Sequence, residues 1–250
     1  MSRTLKENVQ AFAIKQVLNY LDEDPDKSLP KILEWAEKFD KNGKNAHLIK
    51  PFHAIIDNPD SNWHILLKSM WTDIDPGVRK VFFENFILNT TLIGSHKQDE
   101  WKKIHNCNIP WAILMDLTSA CNLHCIGCWA ADYGHKLSLE YEILDSIIRQ
   151  GTEMGTYMYI YSGGEPLVRK DDIIRLCEAH PNCMFLAFTN GTLIDEKFAD
   201  ELLRVKNFVP AISIEGFEEA PDYRRGKGTY QKVKNATRIL KDKKLPFGAS

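Results

Sequence analysis

The spacing of apolar residues changes character near residue 105. Before that point apolar residues recur every three or four positions, the period of an amphipathic helix. Short stretches rich in Pro, Gly or Asn interrupt this pattern at residues 24–26, 41–44, 58–61 and 75–77. We therefore expect four to six short helices in an α-helical N-terminal domain spanning residues 1–105. The periodic positions are Val9, Phe12, Ala13, Val17, Leu18, Ile32, Trp35, Ala36 and Phe39.

From Pro110 onward, short β-rich apolar runs alternate with amphipathic stretches. This alternation is typical of repeated βα units that build a parallel sheet. We predict an α/β fold with four complete βα units and a fifth strand. The predicted strands are 112–117, 157–162, 184–189, 210–214 and 246–250; the predicted helices are 138–154, with Ser138 as a possible N-cap, 171–180, 195–206 and 229–244.

The chain stops within the fifth predicted strand, at Ser250. A closed or nearly closed barrel needs more strands than five. We expect a partial (β/α) barrel over residues 106–250, in a chain that is a fragment of a longer protein.

Composition narrows the function classes. The chain has 250 residues, 44% of them hydrophobic and 26% charged, which indicates an ordinary folded protein. A net charge of -2 predicts no nucleic-acid partner, since such partners require a strongly basic face. No apolar run is long enough for a secretory signal or a transmembrane segment, so we expect a cytoplasmic location.

Three of the six cysteines stand close together, directly after the first predicted strand. Cys121, Cys125 and Cys128 have CxxxCxxC spacing, which suits metal ligands better than a secreted disulfide framework. A 4Fe-4S cluster has four irons, so three local cysteines leave one iron open to a cofactor or substrate. The residues alone leave a second interpretation open, a structural zinc site with His124 as fourth ligand.

Polar residues also follow the next three predicted strands. The second strand precedes Gly163, Gly164, Glu165 and Pro166, the third ends in the segment 189–192, and the fourth leads into 213–216. Active sites of βα barrels lie at the carboxyl ends of the strands, so these groups are expected to meet. An ordinary turn at 163–166 or 190–191 and a solvated Glu215 are the alternatives.

Together, the CxxxCxxC loop after the first strand and the GGEP segment after the second resemble the radical S-adenosylmethionine (radical SAM) enzymes over residues 110–250. The run at 222–230 resembles the SPASM or twitch branch, whose extra clusters would lie beyond residue 250. The resemblance implies an oxygen-sensitive enzyme that uses a 4Fe-4S cluster and S-adenosylmethionine. The alternative is a zinc-stabilised βα binding or scaffold protein.

The resemblance also implies the chemistry and the site. The cluster, held by the three cysteines, would reductively cleave S-adenosylmethionine to a 5'-deoxyadenosyl radical, which abstracts hydrogen from an unidentified peptide, lipid or small molecule. A low-potential donor of the flavodoxin or ferredoxin kind would supply the electron. The residues implied in cofactor binding are Gly127, Gly163, Gly164, Glu165, Pro166, Asn190, Ser213, Glu215 and Arg225, with Arg224 a close competitor of Arg225.

One residue departs from the family pattern. The position before the third cysteine is usually aromatic in this family and lies near the adenine, whereas here it is Gly127. Trp129 or Tyr159 would then supply the ring face, although core packing is the commoner fate of such side chains. Cys177 and Cys183 are predicted to be buried free thiols rather than ligands, and nothing pairs Cys107 with other ligands.

Overall fold

The computed structural model describes residues 12, 16–17, 19–20, 25–39, 46–130, 134, 136–217 and 219–250. Three positions of the first predicted helix, Val9, Ala13 and Leu18, and the break predicted at 41–44 lie outside the described residues. The chain divides into two compact units, Met1–Lys80 and Val81–Ser250.

The first unit is helical where it is described. Two of the predicted breaks, 58–61 and 75–77, are confirmed as turns in which a side chain caps the next helix. The Ser61 side chain accepts a hydrogen bond from the His64 backbone N–H at 3.1 Å, and the Asp75 carboxylate accepts from the Gly77 N–H at 2.8 Å. The helices are α1 (Pro25–Phe39), α2 (Ala46–Ile56), α3 (Asn62–Thr72) and α4 (Pro76–Phe82), which reaches two residues into the second unit.

The second unit includes helical residues that precede the sheet. A π-helical segment, Phe83–Gly94, continues into α5 (Ser95–His105). Asn85 donates to the backbone oxygens of Pro181 and Cys183, both at 2.9 Å, at the entrance to the third strand. These buried amide contacts explain why residues 83–105 group with the sheet, whereas a domain division at residue 105 stays a prediction.

Five parallel strands form one sheet in the order β1-β2-β3-β4-β5. This arrangement confirms the predicted α/β fold, because each of the first four strands is followed by a helix that returns the chain to the other end of the sheet. The strands are β1 (Ala112–Thr118), β2 (Met158–Gly163), β3 (Met184–Thr189), β4 (Phe208–Ile212) and β5 (Gly248–Ala249). The helices are α6 (Tyr141–Met154), α7 (Lys170–Ala179), α8 (Glu196–Val205), α9 (Glu219–Arg225) and α10 (Thr229–Asp242), with a 3-10 turn at Pro166–Arg169.

The core of this unit lies between the sheet and its helices. Leu117, Tyr159 and Phe185 are fully buried, and they stand on three neighbouring strands. The Tyr159 hydroxyl donates to the backbone oxygens of Ile148 and Thr156, which satisfies the polar tip of a buried ring. Tyr159 therefore has the core role that was weighed against a place at the adenine.

The predicted start of α6 is wrong by three residues. Ser138 does not cap the helix, because its backbone pairs with Thr118 in an antiparallel bridge and the helix begins at Tyr141. None of the helices in the described part of the chain is long and apolar enough to span a bilayer.

Candidate active site

The cysteine loop begins at the carboxyl end of β1, and the glycines after β2 hold its first residues. The Gly164 N–H donates to the Thr118 oxygen at 2.8 Å, and the Glu165 N–H donates to the Ala120 oxygen at 2.9 Å. A Cβ added to Gly164 would lie 2.3 Å from the Ala120 oxygen, and one added to Gly163 would lie 2.4 Å from the Thr118 oxygen. Both glycines are needed for this close backbone approach, which sets the position of the loop that carries Cys121.

The three predicted ligands line one cavity. Cys121, Cys125 and Cys128 surround a space of about 130 Å³ together with Ser119, Leu123, His124, Ala130 and Gly164. Each thiol is partly buried, and burial raises the pKa of Cys121 and of Cys125. The positive charge of Arg225 acts to lower the pKa of Cys125, but burial outweighs it. Three soft sulfur donors around one small cavity have the chemistry that an iron-sulfur cluster requires.

A single metal ion fits this loop less well. Among the described residues, no three His, Cys, Asp or Glu side chains are grouped as ligands of one ion. A zinc ion requires all its donors at about 2.0 to 2.3 Å, whereas a cubane binds each cysteine through a different iron. The cavity lined by three thiols therefore fits a cluster, and the zinc alternative gains nothing from the geometry.

Gly127 has a backbone conformation that explains why no aromatic residue stands there. Its φ is +68°, in the left-handed region, and a Cβ at this position would meet nothing within 4 Å. Any other residue would be strained by its backbone rather than by its neighbours. The next ring along the chain, Trp129, lines a larger cavity beside the cysteine loop.

Glu165 is buried, and its carboxylate is occupied by the protein. One oxygen accepts from the Leu167 N–H at 2.9 Å and the Thr189 hydroxyl at 2.6 Å, while the other accepts from the Asn190 N–H at 2.7 Å. Burial raises the pKa of Glu165, although these three donors oppose the shift. The side chain thereby ties the end of β2 to the end of β3.

Asn190 extends this connection to the cysteine loop. Its side-chain amide donates to the Asn122 oxygen at 2.9 Å, and the Asn122 amide donates to the Thr192 hydroxyl at 2.8 Å. Asn122 directly follows Cys121, so a hydrogen-bonded path runs from the buried Glu165 to the loop. We call Glu165, Asn190 and Asn122 the β2-β3 latch.

A cluster of charged residues lies beyond the end of β4. Arg225 donates to the Glu215 carboxylate at 2.8 Å, and Arg224 pairs with the same oxygen. Burial acts to raise the pKa of Glu215, but the two arginines outweigh it and leave the pKa below its usual value. Arg225 Nε and the second Glu215 oxygen are buried and have no hydrogen-bond partner among the described residues.

Arg224 also joins this charged cluster to the cysteine loop. The Ile126 N–H donates to the Arg224 backbone oxygen at 2.8 Å, and Arg224 Nε donates to the Ile126 oxygen at 3.2 Å. Ile126 lies between the second and third cysteines. The loop is thus held from two sides, by the latch and by Arg224.

The predicted residues fall into three groups at one edge of the sheet. The first group, Gly163 and Gly164, touches the start of the cysteine loop. The second group belongs to the latch and consists of Glu165 and Asn190, with the buried Pro166 beside them. The third group lies past β4 and consists of Ser213, Glu215 and Arg225. Ser213 and Arg225 line a separate cavity of about 230 Å³. Sequence reasoning missed Asn122, although its place directly after the first cysteine was a usable signal.

The other cysteines lie apart from this edge. Cys177 and Cys183 are buried, as predicted, and burial raises the pKa of both thiols. Cys107 is exposed.

Comparisons with known proteins identify the family. The Radical SAM superfamily profile matches residues 115–249. An uncharacterised protein of Archaeoglobus fulgidus is 37% identical over 124 residues, which covers 48% of this chain and 29% of that protein. The Fe-coproporphyrin III synthase of Methanosarcina barkeri is 33% identical over 122 residues, covering 47% of this chain and 31% of that enzyme. The chain thus spans about a third of the length of these relatives.

A solved structure of anSMEcpe with bound AdoMet is 26% identical, with a TM-score of 0.47 over 55% of this chain and 42% of that one. The profile match covers more than half of the chain and includes all three cysteines of the loop, the glycines after β2 and the charged cluster after β4. The chain therefore belongs to the radical SAM superfamily, whose enzymes use a 4Fe-4S cluster and S-adenosylmethionine.

Proposed function

We propose that residues 110–250 form the core of an enzyme that reductively cleaves S-adenosylmethionine at a 4Fe-4S cluster held by Cys121, Cys125 and Cys128. The observation that carries this proposal is the convergence of the three thiols on one cavity beside Gly164, at the carboxyl edge of a parallel sheet. The three cysteines would hold the cluster, and the chemistry supplied there would be one-electron reduction of the sulfonium to methionine and a 5'-deoxyadenosyl radical able to remove a hydrogen atom from the substrate.

The protein's part is to position and enclose these groups. Gly164 and Gly163 bring the backbone of β2 against the cysteine loop, and both glycines also line the larger cavity beside that loop. Within the described part of the chain, Arg225 Nε is buried and has no hydrogen-bond partner, and a guanidinium N–H is a strong donor for a cofactor carboxylate. Ser213 shares a cavity with Arg225, and both suit a polar cofactor of this size.

The latch has a supporting role in this proposal. Glu165 has no oxygen without a donor, so it serves the site by fixing the ends of β2 and β3 rather than by offering an empty acceptor. Asn190 and Pro166 act with it. Gly127 contributes the sharp turn between the last two cysteines.

An electron donor would approach the exposed side of the cysteine loop. Ile126 is 57% exposed, and His124 and Gly127 are exposed beside it. Electron transfer requires close approach of the donor, and Ile126 is an exposed apolar residue between the second and third cysteines. A small low-potential protein of the flavodoxin or ferredoxin kind is the expected partner.

The experiment is anaerobic reconstitution with iron and sulfide, followed by incubation with a reductant and S-adenosylmethionine. We expect about one cubane cluster per chain, brown charge-transfer absorption and formation of 5'-deoxyadenosine. Cys125→Ala should abolish 5'-deoxyadenosine formation, whereas the matched variant Cys177→Ala should retain it, because Cys177 lies buried outside the cluster cavity. Stoichiometric zinc without iron, or equal losses in both variants, would refute the assignment.

A further inference from the structure

An acidic residue interrupts the apolar pattern of β1. Met115 and Leu117 are buried, while Leu114 and Asp116 are exposed on the opposite face, because successive side chains of a strand alternate. Asp116 pairs in register with Ser162 of β2. The carboxylate therefore lies on the face of the sheet away from the core, two residues before the strand ends.

That face opens into a cavity of about 390 Å³, which we call the chamber. It is lined by Asp116, Thr118, Ser119, Trp129, Ala130, Leu137, Ser138, Leu139, Gly163 and Gly164. Ser119, Ala130 and Gly164 also line the cavity of the three cysteines. Asp116 thus faces the space directly beside the proposed cluster.

None of the described residues that line the chamber carries a positive charge. The hydroxyls of Thr118, Ser119 and Ser138 are engaged with the Leu137 oxygen, the Leu137 N–H and Arg169 respectively. Among the described residues that line the chamber, Asp116 is the only one whose side chain is charged at neutral pH. Its carboxylate has no hydrogen bond or ion pair with any described residue. The Asp116 carboxylate is open to this space, and a charge-assisted hydrogen bond from a cationic N–H donor is the strongest that it can accept.

We propose that Asp116 receives an ammonium group in the chamber. Two other acids lie at this edge. Glu165 already accepts three hydrogen bonds from the protein, and Glu215 is paired with Arg224 and Arg225, so neither competes for that cation. Two molecules could bring the group: S-adenosylmethionine itself, through its α-ammonium, or a substrate that carries a protonated amine on an apolar body. The inference rests on the proposed function, since it requires the chamber to be the reaction space.

The first experimental arm tests S-adenosylmethionine as the source. Cluster-reconstituted wild type and Asp116→Asn are titrated anaerobically with S-adenosylmethionine in a calorimeter, without reductant. Asparagine has the same shape and lacks the charge, and the loss of a charge-assisted hydrogen bond predicts roughly tenfold weaker binding. Asp242→Asn is the control, because Asp242 pairs with Arg238 on the exposed end of α10 and lines no part of the chamber.

The second arm tests a substrate amine as the source. Phenethylamine and 2-phenylethanol, which differ in the ammonium and hydroxyl groups, are titrated into the same proteins with saturating S-adenosylmethionine. If the chamber accepts a substrate ammonium, wild type and Asp242→Asn prefer the amine by roughly tenfold, and Asp116→Asn loses that preference.

Weaker S-adenosylmethionine binding by Asp116→Asn assigns the ammonium to the cofactor. Unchanged cofactor binding with a lost amine preference assigns it to the substrate. No change in either arm, including the case in which neither probe binds, overturns the inference. Cluster content and 5'-deoxyadenosine formation by the wild type are measured in the same preparations, so a failure of the proposed function is recognised separately.

Discussion

Glu165 provides the sharpest test of how the site is held together. Its side chain is only 1% exposed and accepts three hydrogen bonds, from Leu167, Thr189 and Asn190. Glu165→Gln keeps the shape and one acceptor oxygen, but it places an NH₂ group where an oxygen now faces the Asn190 N–H at 2.7 Å. Two donors then point at each other inside the protein.

The cost follows from the lost contact. A hydrogen bond to a charged group contributes about 1.5–3 kcal/mol, and a buried N–H without an acceptor costs about 1–3 kcal/mol. Removing a buried charge offsets part of this loss, so we expect a net destabilisation of about 3 kcal/mol. For a unit of this size, that corresponds to a melting temperature lower by roughly 6–12 °C.

The effect of Glu165→Gln should also depend on pH. Burial raises the pKa of Glu165 above its ordinary 4.5, so the folded chain holds this proton to a higher pH than the unfolded chain does. The wild type therefore loses stability relative to Glu165→Gln as the pH rises from about 4.5 through the folded pKa. The destabilisation caused by Glu165→Gln is therefore largest below about pH 4.5, and it is smaller and constant above the folded pKa.

Thermal and urea unfolding of the metal-free proteins measures both effects. Glu178→Gln is the matched control, because Glu178 is an exposed partner of Arg204 and such pairs contribute at most about 1 kcal/mol. If Glu165→Gln is no less stable than Glu178→Gln at pH 7, the latch is not a structural element and Glu165 is available for a ligand. A pH-independent difference between wild type and Glu165→Gln would refute the argument from burial.

Two further substitutions test local geometry. Gly164→Ala should destabilise the protein by several kcal/mol, because its Cβ would lie 2.3 Å from the Ala120 oxygen. Gly228→Ala is the control: this glycine has φ +84° and open space around it, so the substitution should cost only about 1–2 kcal/mol. Equal losses of stability in urea unfolding would contradict the close-approach argument. Asp195→Ala should cost about 1 kcal/mol at neutral pH by removing the N-cap of α8, where the carboxylate accepts from Phe198 at 2.7 Å. Burial acts to raise the pKa of Asp195, but its hydrogen bonds outweigh burial and lower the pKa. The loss of stability in Asp195→Ala should therefore be present above pH 3.8 and vanish as the pH falls through the folded pKa. Asp195→Asn can still cap the helix and should remain close to wild type in stability.

Local sequence determined the βα repeat and the place of the three cysteines proposed as cluster ligands. Strand β3 occupies the predicted residues, Met184–Thr189, because a short apolar run between turn residues is typical of a buried strand in a parallel sheet. The break at 58–61 was predictable because its cap, Ser61, interacts with a backbone N–H only three residues away. The cysteine spacing likewise lies within eight residues.

Tertiary structure decided what the polar residues do. Glu165 follows a strand, which predicts a place at the active edge, but its role depends on donors from Thr189 and Asn190, more than 20 residues away. The face of the sheet on which Asp116 lies depends on the pleat of β1 and on its register against β2. Asn85 joins residues 83–105 to the sheet through contacts almost 100 residues distant. Such contacts are set by strand pairing and helix docking, so no local pattern in the sequence encodes them.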